Sequence, residues 1–174
     1  MKKSFLFFTI ILASLTGYTQ EKTASPKNEA KGNALFLVLG AAEVTYERLL
    51  NEDSGLGVSV FYINQDDADT NFSITPYYRA YFGKKVAAGF FVEGFGMLNS
   101  GIISKNYVYN MNGNLISVQE DRFTDFALGF GLGSKWIHRN GFVFEINAGV
   151  GRNLLSNNSP EVVGRGGITL GYRF

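Results

Sequence analysis

Nine charged side chains lie in segments where polar and apolar positions alternate, and each stands on the polar side of that alternation. Five are carboxylates and four are cations, so they could form ion pairs, or two carboxylates could share acid–base work. Buried charges need pairing, because an unpaired buried charge is heavily penalised. We therefore expect a network with a structural role and prefer it to a proton or ion relay. Its members are Glu43, Glu47, Arg79, Glu93, Asp125, Lys135, Glu145, Arg165 and Arg173.

Other reactive groups are sparse. The sequence has no cysteine, which excludes disulfides, thiolate metal sites and a lipidated cysteine. The single histidine, His138, stands in a short polar turn. The cluster of Asp66, Asp67 and Asp69 lacks the glycine and the distal glutamate of a calcium loop, which favours a solvated loop. The sequence thus predicts no catalytic residue, no cofactor and no metal site.

The elements that position the nine charges are β-strands. Successive side chains of a strand point to opposite faces, so a period of two sorts each segment into two faces. In residues 162–174 the even positions are mostly apolar and end on Tyr172 and Phe174, whereas the odd positions include Arg165 and Arg173. Seven further segments alternate or are largely apolar: 34–39, 43–50, 55–63, 72–82, 87–98, 123–137 and 142–154. In 87–98 both faces are apolar, and Glu93 is placed inward because a carboxylate that faces lipid is costly.

Residues 33–50 allow two interpretations. Two strands could meet at a tight connection near Gly40, or one long strand could be kinked there, since glycine in a strand often marks a bend. The first interpretation gives eight strands. Residues 34–39 are apolar at every position, so their faces cannot be assigned from parity.

The N-terminus resembles a targeting segment. Lys2 and Lys3 precede an apolar run too short to span a membrane, which predicts a signal peptide over 1–20, cleaved around 17–20. A polar, flexible periplasmic linker is expected over 21–32, and a barrel over 33–174. No later run reaches the roughly 18 apolar residues of a spanning helix, so a membrane form of the protein would be a β-barrel.

Connections between the predicted strands alternate in length. Those at 51–54, 83–86 and 138–141 are short, whereas those at 64–71, 99–122 and 155–161 are longer. Short turns on one rim and longer loops on the other are typical of bacterial outer-membrane barrels. Asn112-Gly113 predicts a hairpin within 99–122, which we expect to extend beyond the membrane and to offer a surface for an extracellular partner.

The sorting of charges is consistent with a transmembrane barrel. A charge at mid-bilayer costs roughly 2–4 kcal/mol, so the charged face is expected to line the lumen and the apolar face to meet lipid. Eight strands leave an interior just wide enough for side chains to fill. We therefore predict a lumen plugged by ion pairs, with Glu145 and Arg165 on adjacent strands as the foremost pair.

The mature chain also resembles a known class of proteins. It is similar to the small eight-stranded outer-membrane barrels of OmpX and OmpA type, and more closely to an uncharacterised barrel family defined as a domain of unknown function. The resemblance implies the fold and a location in the bacterial outer membrane, but no activity. It also implies that Tyr172 and Phe174 form a signal for the barrel-assembly machinery. The matching stretches are YERLL at 46–50, SITPYYR at 73–79, FFVEG at 90–94, FEIN at 144–147, GRN at 151–153 and RGGITLGYRF at 165–174.

The expected partners are therefore outer-membrane lipid, the assembly machinery and a possible extracellular molecule. The formal net charge of +1 suggests no nucleic-acid partner. Three alternatives remain. A lipid-modifying enzyme is disfavoured because His138 would face the periplasm. An exported, soluble, lipocalin-like carrier would need the two faces reversed. A narrow pore for small solutes would need gaps in the network, for which the glycines at 129, 131, 133, 149 and 151 leave room.

Overall fold

The structure, a computed structural model, describes residues 26–64, 70–110, 114–156 and 159–174. The predicted signal peptide at 1–20 lies outside these residues. The strands are β1 (Asn28–Asn33), β2 (Ala41–Leu49), β3 (Ser54–Ile63), β4 (Phe72–Tyr81), β5 (Gly89–Tyr109), β6 (Leu115–Ile137), β7 (Phe142–Asn153) and β8 (Val162–Arg173), with helix α1 (Ala34–Val38) between β1 and β2. Each strand pairs antiparallel with the next, and β8 pairs with β1 to close a barrel. This confirms the predicted all-β class and eight-stranded antiparallel topology.

The start of the barrel differs from the sequence prediction. Residues 28–32, assigned to a flexible linker, belong to β1, which pairs with both β2 and β8. The apolar run Ala34–Val38, assigned to a strand, is helix α1. Asn33 caps this helix, because its Oδ1 accepts a hydrogen bond of 3.3 Å from the Phe36 amide. The count of two strands before residue 50 is correct, but the first of them lies earlier in the chain.

The two faces of the barrel wall have opposite polarity. Side chains of one parity point into the lumen and are buried, including the charged groups of β1, β2, β4, β5, β6, β7 and β8. Side chains of the other parity form an exposed apolar belt around the exterior. Members of this belt are Val44, Tyr46, Leu56, Val58, Val60, Tyr78, Phe90, Val92, Leu98, Leu128, Phe130, Leu132, Trp136, Phe142, Ile146, Val150, Ile168, Leu170 and Tyr172.

The barrel has two unlike ends. The terminal rim carries the short turns after β2, β4 and β6, together with Asn28 and Phe174, whose backbones hydrogen-bond to each other. The loop rim carries α1 and the connections after β3, β5 and β7. There β5 and β6 continue past their other neighbours as a two-stranded ribbon, which pairs Gly101–Tyr109 with Leu115–Phe123. No helix in the described part of the chain is long and apolar enough to cross a membrane.

Candidate functional site

Glu47 is the centre of the charge network in the lumen. Its fully buried carboxylate lies 2.6 Å from Lys31 Nζ, 2.9 Å from Lys135 Nζ and 3.2 Å from Arg79 Nη1. These cations come from β1, β6 and β4, so one side chain of β2 gathers three other strands. Three positive partners offset the desolvation of a carboxylate that would otherwise be costly to bury.

Two tyrosines complete the coordination of this carboxylate. Tyr77 donates a hydrogen bond of 2.8 Å to Glu47 Oε2, and Tyr81 donates to Oε1. The Tyr81 hydroxyl also contacts Lys135 Nζ. Tyr77 has room because a Cβ at Gly57 would lie 2.3 Å from its ring. Both tyrosines have lumen parity but carry no charge, so the pattern of charges in the sequence does not indicate them.

Arg79 binds three carboxylates at once. Its Nε lies 2.7 Å from Glu93, and its Nη1 lies 2.8 Å from Glu145 as well as near Glu47. Its guanidinium also lies over the Phe91 ring, 4.2 Å from the centroid. A planar guanidinium that stacks on an aromatic ring while it pairs with carboxylates is held in one orientation.

Glu29 and Lys31 join the network although the sequence prediction left them out. Lys31 Nζ lies 3.0 Å from Glu145, and Lys135 Nζ lies 2.8 Å from Glu29. Both residues belong to β1, where the sequence predicts a linker because residues 21–32 contain few apolar side chains. The alternation of Glu29, Lys31 and Asn33 was the available indication of an inward face.

At the terminal rim, Arg173 links β8 to β1 and to the turn after β4. Its Nη2 lies 2.6 Å from Glu29 Oε1, and Nη1 and Nη2 donate to the carbonyls of Val86 and Ala87 at 2.9 Å. Ala87 is fully buried, so the turn after β4 folds inward beneath the network. The Arg173 guanidinium therefore has both a carboxylate and two backbone carbonyls as partners.

On the side of the loop rim, Arg165 and Glu93 form the upper layer of the network. Arg165 Nη1 lies 3.3 Å from Glu93 Oε1, and Nη2 donates to Ser59 at 3.1 Å. The predicted pair of Glu145 and Arg165 is therefore wrong: Glu145 lies deeper, with Lys31 and Arg79. Residue 165 is opposite Gly149 in the register of β7 and β8, four residues from Glu145.

A small cavity opens above this layer at the loop rim. It measures about 190 Å³, and we call it the mouth pocket. Glu43 lines it and accepts a hydrogen bond of 2.6 Å from Asn33 Nδ2. Glu43 therefore has the predicted inward parity but lies above the ion pairs centred on Glu47. Apolar side chains of Phe36, Phe61, Met97 and Val163 form much of the wall.

Asp125 has a different role from the one the sequence predicted. At the loop rim its Oδ1 accepts hydrogen bonds from the amides of Phe126 and Leu155, and its Oδ2 accepts one from Ser156 at 3.0 Å. The Ser159 hydroxyl also donates to Oδ2. These donors hold the pKa of Asp125 at about 2, below the usual value, although burial acts in the opposite direction. Asp125 thus fastens the connection after β7.

The glycines that suggested a pore face large side chains. A Cβ at Gly129 would lie 2.3 Å from Phe95, and one at Gly133 would lie 2.6 Å from Phe91. A Cβ at Gly131 would lie 3.0 Å from the Glu93 carboxylate. The space left by these missing side chains is therefore occupied by residues of β5.

The remaining predicted groups lie outside the network. His138 is exposed in the turn after β6, where its Nδ1 accepts a hydrogen bond of 3.4 Å from the Asn140 amide. Tyr172 and Phe174 are exposed on the exterior at the terminal rim. Among the described residues, no group of three or more His, Cys, Asp or Glu side chains is arranged to hold a metal ion. Asp66, Asp67 and Asp69 lie outside those residues.

Comparison with known proteins identifies the fold. No protein-family model matches the sequence, and no curated protein is significantly similar to it. The N-terminal β-barrel domain of OprF from Pseudomonas aeruginosa superposes with a TM-score of 0.57 at 16% identity. The match covers 86% of this chain and 97% of that domain. The chain has the fold of the OprF barrel. At this identity the likeness concerns architecture alone.

Proposed function

We propose that the protein is a bacterial outer-membrane β-barrel of the small OmpX and OmpA type, with a structural or surface-interaction role. The observation that carries this proposal is the polarity of the wall, with charges buried in the lumen and an apolar belt outside. Burying this belt against lipid removes from water a surface that few water-soluble monomers expose. Aromatic residues such as Trp136, Phe142 and Tyr172 near the terminal rim suit a membrane interface.

The same polarity argues against a soluble, lipocalin-like carrier. Such a carrier needs an apolar interior for its ligand and a polar exterior for water. Here the middle of the interior holds Glu47, Arg79 and Lys135, each at most 1% exposed. A barrel with these faces would be unstable as a monomer in water.

The network closes the lumen in this proposal. Arg79 and its three carboxylates span the interior below the mouth pocket, and Phe91 and Phe95 fill the space over the lumen glycines. A protein closed in this way serves as a membrane-anchored scaffold, with no catalytic activity and no solute pathway. Planar bilayer recordings should therefore show no steady conductance, and reproducible single-channel steps would favour the pore alternative.

The ribbon of β5 and β6 is the proposed site for an extracellular partner. It continues past β4, which last pairs at Ser100, and past β7, which first pairs at Ala127. Tyr107, Val108 and Ile116 are exposed on it. An exposed apolar surface beyond the barrel fits binding better than lipid contact.

Cell fractionation combined with heat-modifiable gel migration tests this function. The protein should be recovered in the outer-membrane fraction and should migrate faster unheated than boiled, because folded barrels remain compact in detergent. If Tyr172 and Phe174 form a signal for the assembly machinery, Phe174→Ala should lower the amount of folded, heat-modifiable protein in the outer-membrane fraction. Recovery of wild-type protein in the soluble periplasmic fraction would refute the proposal.

A further inference from the structure

The barrel wall is incomplete on the side of the loop rim. β1 ends at Asn33, which pairs with Thr169, so residues 162–168 of β8 have no β1 partner. On the other side of β1, pairing with β2 ends at Val44, so residues 41–43 of β2 also lack one. One missing strand leaves about 10 Å between β8 and β2, since neighbouring strands lie roughly 4.8 Å apart.

Helix α1 covers this gap. It contacts both β8 and β2. A helix is roughly 10–12 Å wide with its side chains, which matches the gap. Its attachment is slight: none of its residues is fully buried, and Leu37 and Val38 are 72% and 85% exposed. A segment with so few buried contacts opens at low energetic cost.

Asn33 is the main polar link across the gap. Its Nδ2 donates to Glu43 on β2 at 2.6 Å and to the Gly166 carbonyl on β8 at 3.1 Å. A side-chain amide thus replaces the backbone ladder of a complete strand. The amide fits only because residue 167 is glycine, since a Cβ there would lie 2.3 Å from Asn33 Nδ2.

Cavities lie on both sides of this helix. The mouth pocket is on the lumen side, where Phe36 stacks edge-to-face on Phe61 with centroids 5.2 Å apart. A side groove of about 330 Å³ is on the exterior, lined by Ala34, Leu37, Ala42, Val44 and Leu170 among others. Glu43 lines both cavities. Together they fall within the ~300–1,000 Å³ of ordinary ligand pockets.

The mouth pocket contains a cation with spare bonding capacity. The Arg165 side chain is 6% exposed and lines the pocket. It shares its carboxylate partner, Glu93, with Arg79. Its Nη1 lies 3.3 Å from that carboxylate but makes no aligned hydrogen bond within the described residues. A buried N–H group without an aligned acceptor is costly, and an anionic headgroup would supply that acceptor.

We propose that the gap between β8 and β2 is a lateral opening through which a single-chain lipid with an anionic headgroup enters from the surrounding membrane. The chain occupies the side groove and packs against Phe36, and the headgroup lies at Arg165. Glu43, held by Asn33, borders the path. The lipid stops above the layer of Arg79 and Glu93, so the lumen stays closed. This inference rests on the proposed membrane location.

Fluorescence quenching by a brominated fatty acid tests the lateral opening. The chain has one tryptophan, Trp136, at the terminal rim, so Trp136→Phe combined with Phe36→Trp places the sole indole beside the mouth pocket. The probe is 9,10-dibromostearate, added to protein extracted from outer membranes in dodecylmaltoside. The indole at position 36 should be quenched saturably. Trp136 in the wild-type protein should be quenched only in proportion to the probe in the micelle.

Matched variants locate the path. Ala42→Phe fills the side groove, whereas Gly94→Phe adds the same ring to the exterior of β5, where a Cβ meets no atom within 4 Å. Ala42→Phe should weaken binding about tenfold or more, the loss expected when a contact worth ~1.4 kcal/mol is removed. Gly94→Phe should leave the affinity for the fatty acid within about twofold of that of the protein without this substitution. Equal binding by the two variants would overturn the opening.

The headgroup is tested with the matching alcohol. 9,10-dibromooctadecanol should bind about tenfold more weakly than the acid, because a charge-assisted hydrogen bond is lost. Arg165→Gln should abolish this preference. An equal response to acid and alcohol in the Phe36→Trp protein would overturn the assignment of Arg165. Heat-modifiable migration of each variant verifies folding, and the Ala42→Phe comparison stands even if Arg165→Gln fails to fold.

The outcomes separate this inference from the proposed function. Wild-type protein that is absent from the outer membrane refutes the membrane location itself. Protein that is recovered there in the heat-modifiable form, but whose indole at position 36 is quenched no differently from Trp136, refutes the lateral opening alone. The second result would mean that the fatty acid partitions into the micelle without entering the barrel.

Discussion

Lys135 on β6 and Glu47 on β2 lie four strands apart around the barrel, yet their side chains meet at 2.9 Å in the lumen. Backbone pairing links each strand only to its two neighbours. This contact instead joins opposite walls, and Lys31 and Arg79 add links from two further strands. The network therefore braces the barrel across its diameter.

Removal of the central charge should destabilise the barrel strongly. Glu47→Gln keeps the shape of the side chain but leaves three buried cations with less negative charge, which should lower the free energy of unfolding by about 3–5 kcal/mol. Denaturant titration in lipid vesicles, followed by Trp136 fluorescence, measures it. The matched control is Glu120→Gln, whose pair with Arg122 is exposed and should contribute ~1 kcal/mol or less. Equal losses for the two variants would show that the network does not brace the barrel.

The exterior belt can be probed with one substitution at two sites. Leu132, in the middle of the belt, and Leu155, in the connection after β7, are 53% and 75% exposed. If lipid covers the belt, Leu132→Arg should cost roughly 2–4 kcal/mol and reduce the heat-modifiable form in outer membranes. Leu155→Arg should be recovered at the wild-type level. Similar recovery of both variants would indicate that the belt faces water.

Acid should loosen the connection that Asp125 holds. The pKa of Asp125 is lowered to about 2, so its stabilisation is complete above the ordinary carboxyl pKa of roughly 3.9 and is lost as the pH falls towards 2. Amide exchange at Leu155, corrected for its intrinsic pH dependence, should lose protection over this interval. Asp125→Asn should remove the pH dependence, whereas Asp121→Asn, on the exposed ribbon, should retain it. Unchanged protection of Leu155 from pH 5 to pH 2 would contradict this role.

The lumen should tolerate no extra methyl group beside Phe95. Gly129→Ala would place a Cβ 2.3 Å from that ring and 2.6 Å from the Val150 carbonyl, which predicts a loss of about 1–3 kcal/mol through overpacking. Gly94→Ala, on the open exterior, should be neutral or slightly stabilising, since alanine lowers the entropy of the unfolded chain. Denaturant midpoints of the two variants provide the measurement. A neutral Gly129→Ala would mean that the lumen is looser than the structure indicates.

The alternation of side chains made most of the barrel predictable, but it failed at the first strand. Most strands from β2 to β8 carry apolar residues on one face, which gives a clear period of two. In β5 both faces carry apolar residues, and Glu93 indicates the inner one. β1 presents little apolar surface, because Ala30 and Gly32 are its outward residues. The next residues, Ala34–Val38, are apolar at every position, so their sequence cannot distinguish the period of a strand from that of a helix. In this region the strand is polar and the connecting helix is apolar, which is the reverse of what a membrane barrel sequence usually shows.

Partners within the lumen were less predictable than faces. Arg79 and Glu93 are directly opposite in the register of β4 and β5, so a correct register would have paired them. Glu145 and Arg165 share parity on adjacent strands, but parity alone leaves the offset along the strands undetermined. Links across the lumen, such as that from Lys135 to Glu47, depend on the stagger of the closed barrel. The sequence around each residue therefore does not indicate which residue it contacts across the lumen.

The ribbon of β5 and β6 has a mechanical consequence. Its paired section from Gly101 to Tyr109 extends about 26 Å, at roughly 3.3 Å per residue, and still rises nearly 20 Å when tilted by about 45°. The headgroup layer on one side of a bilayer is only about 5–8 Å deep. In the outer-membrane location that we propose, Tyr107 and Val108 therefore lie beyond the lipid headgroups, and a large particle approaching from outside would contact them before the barrel wall.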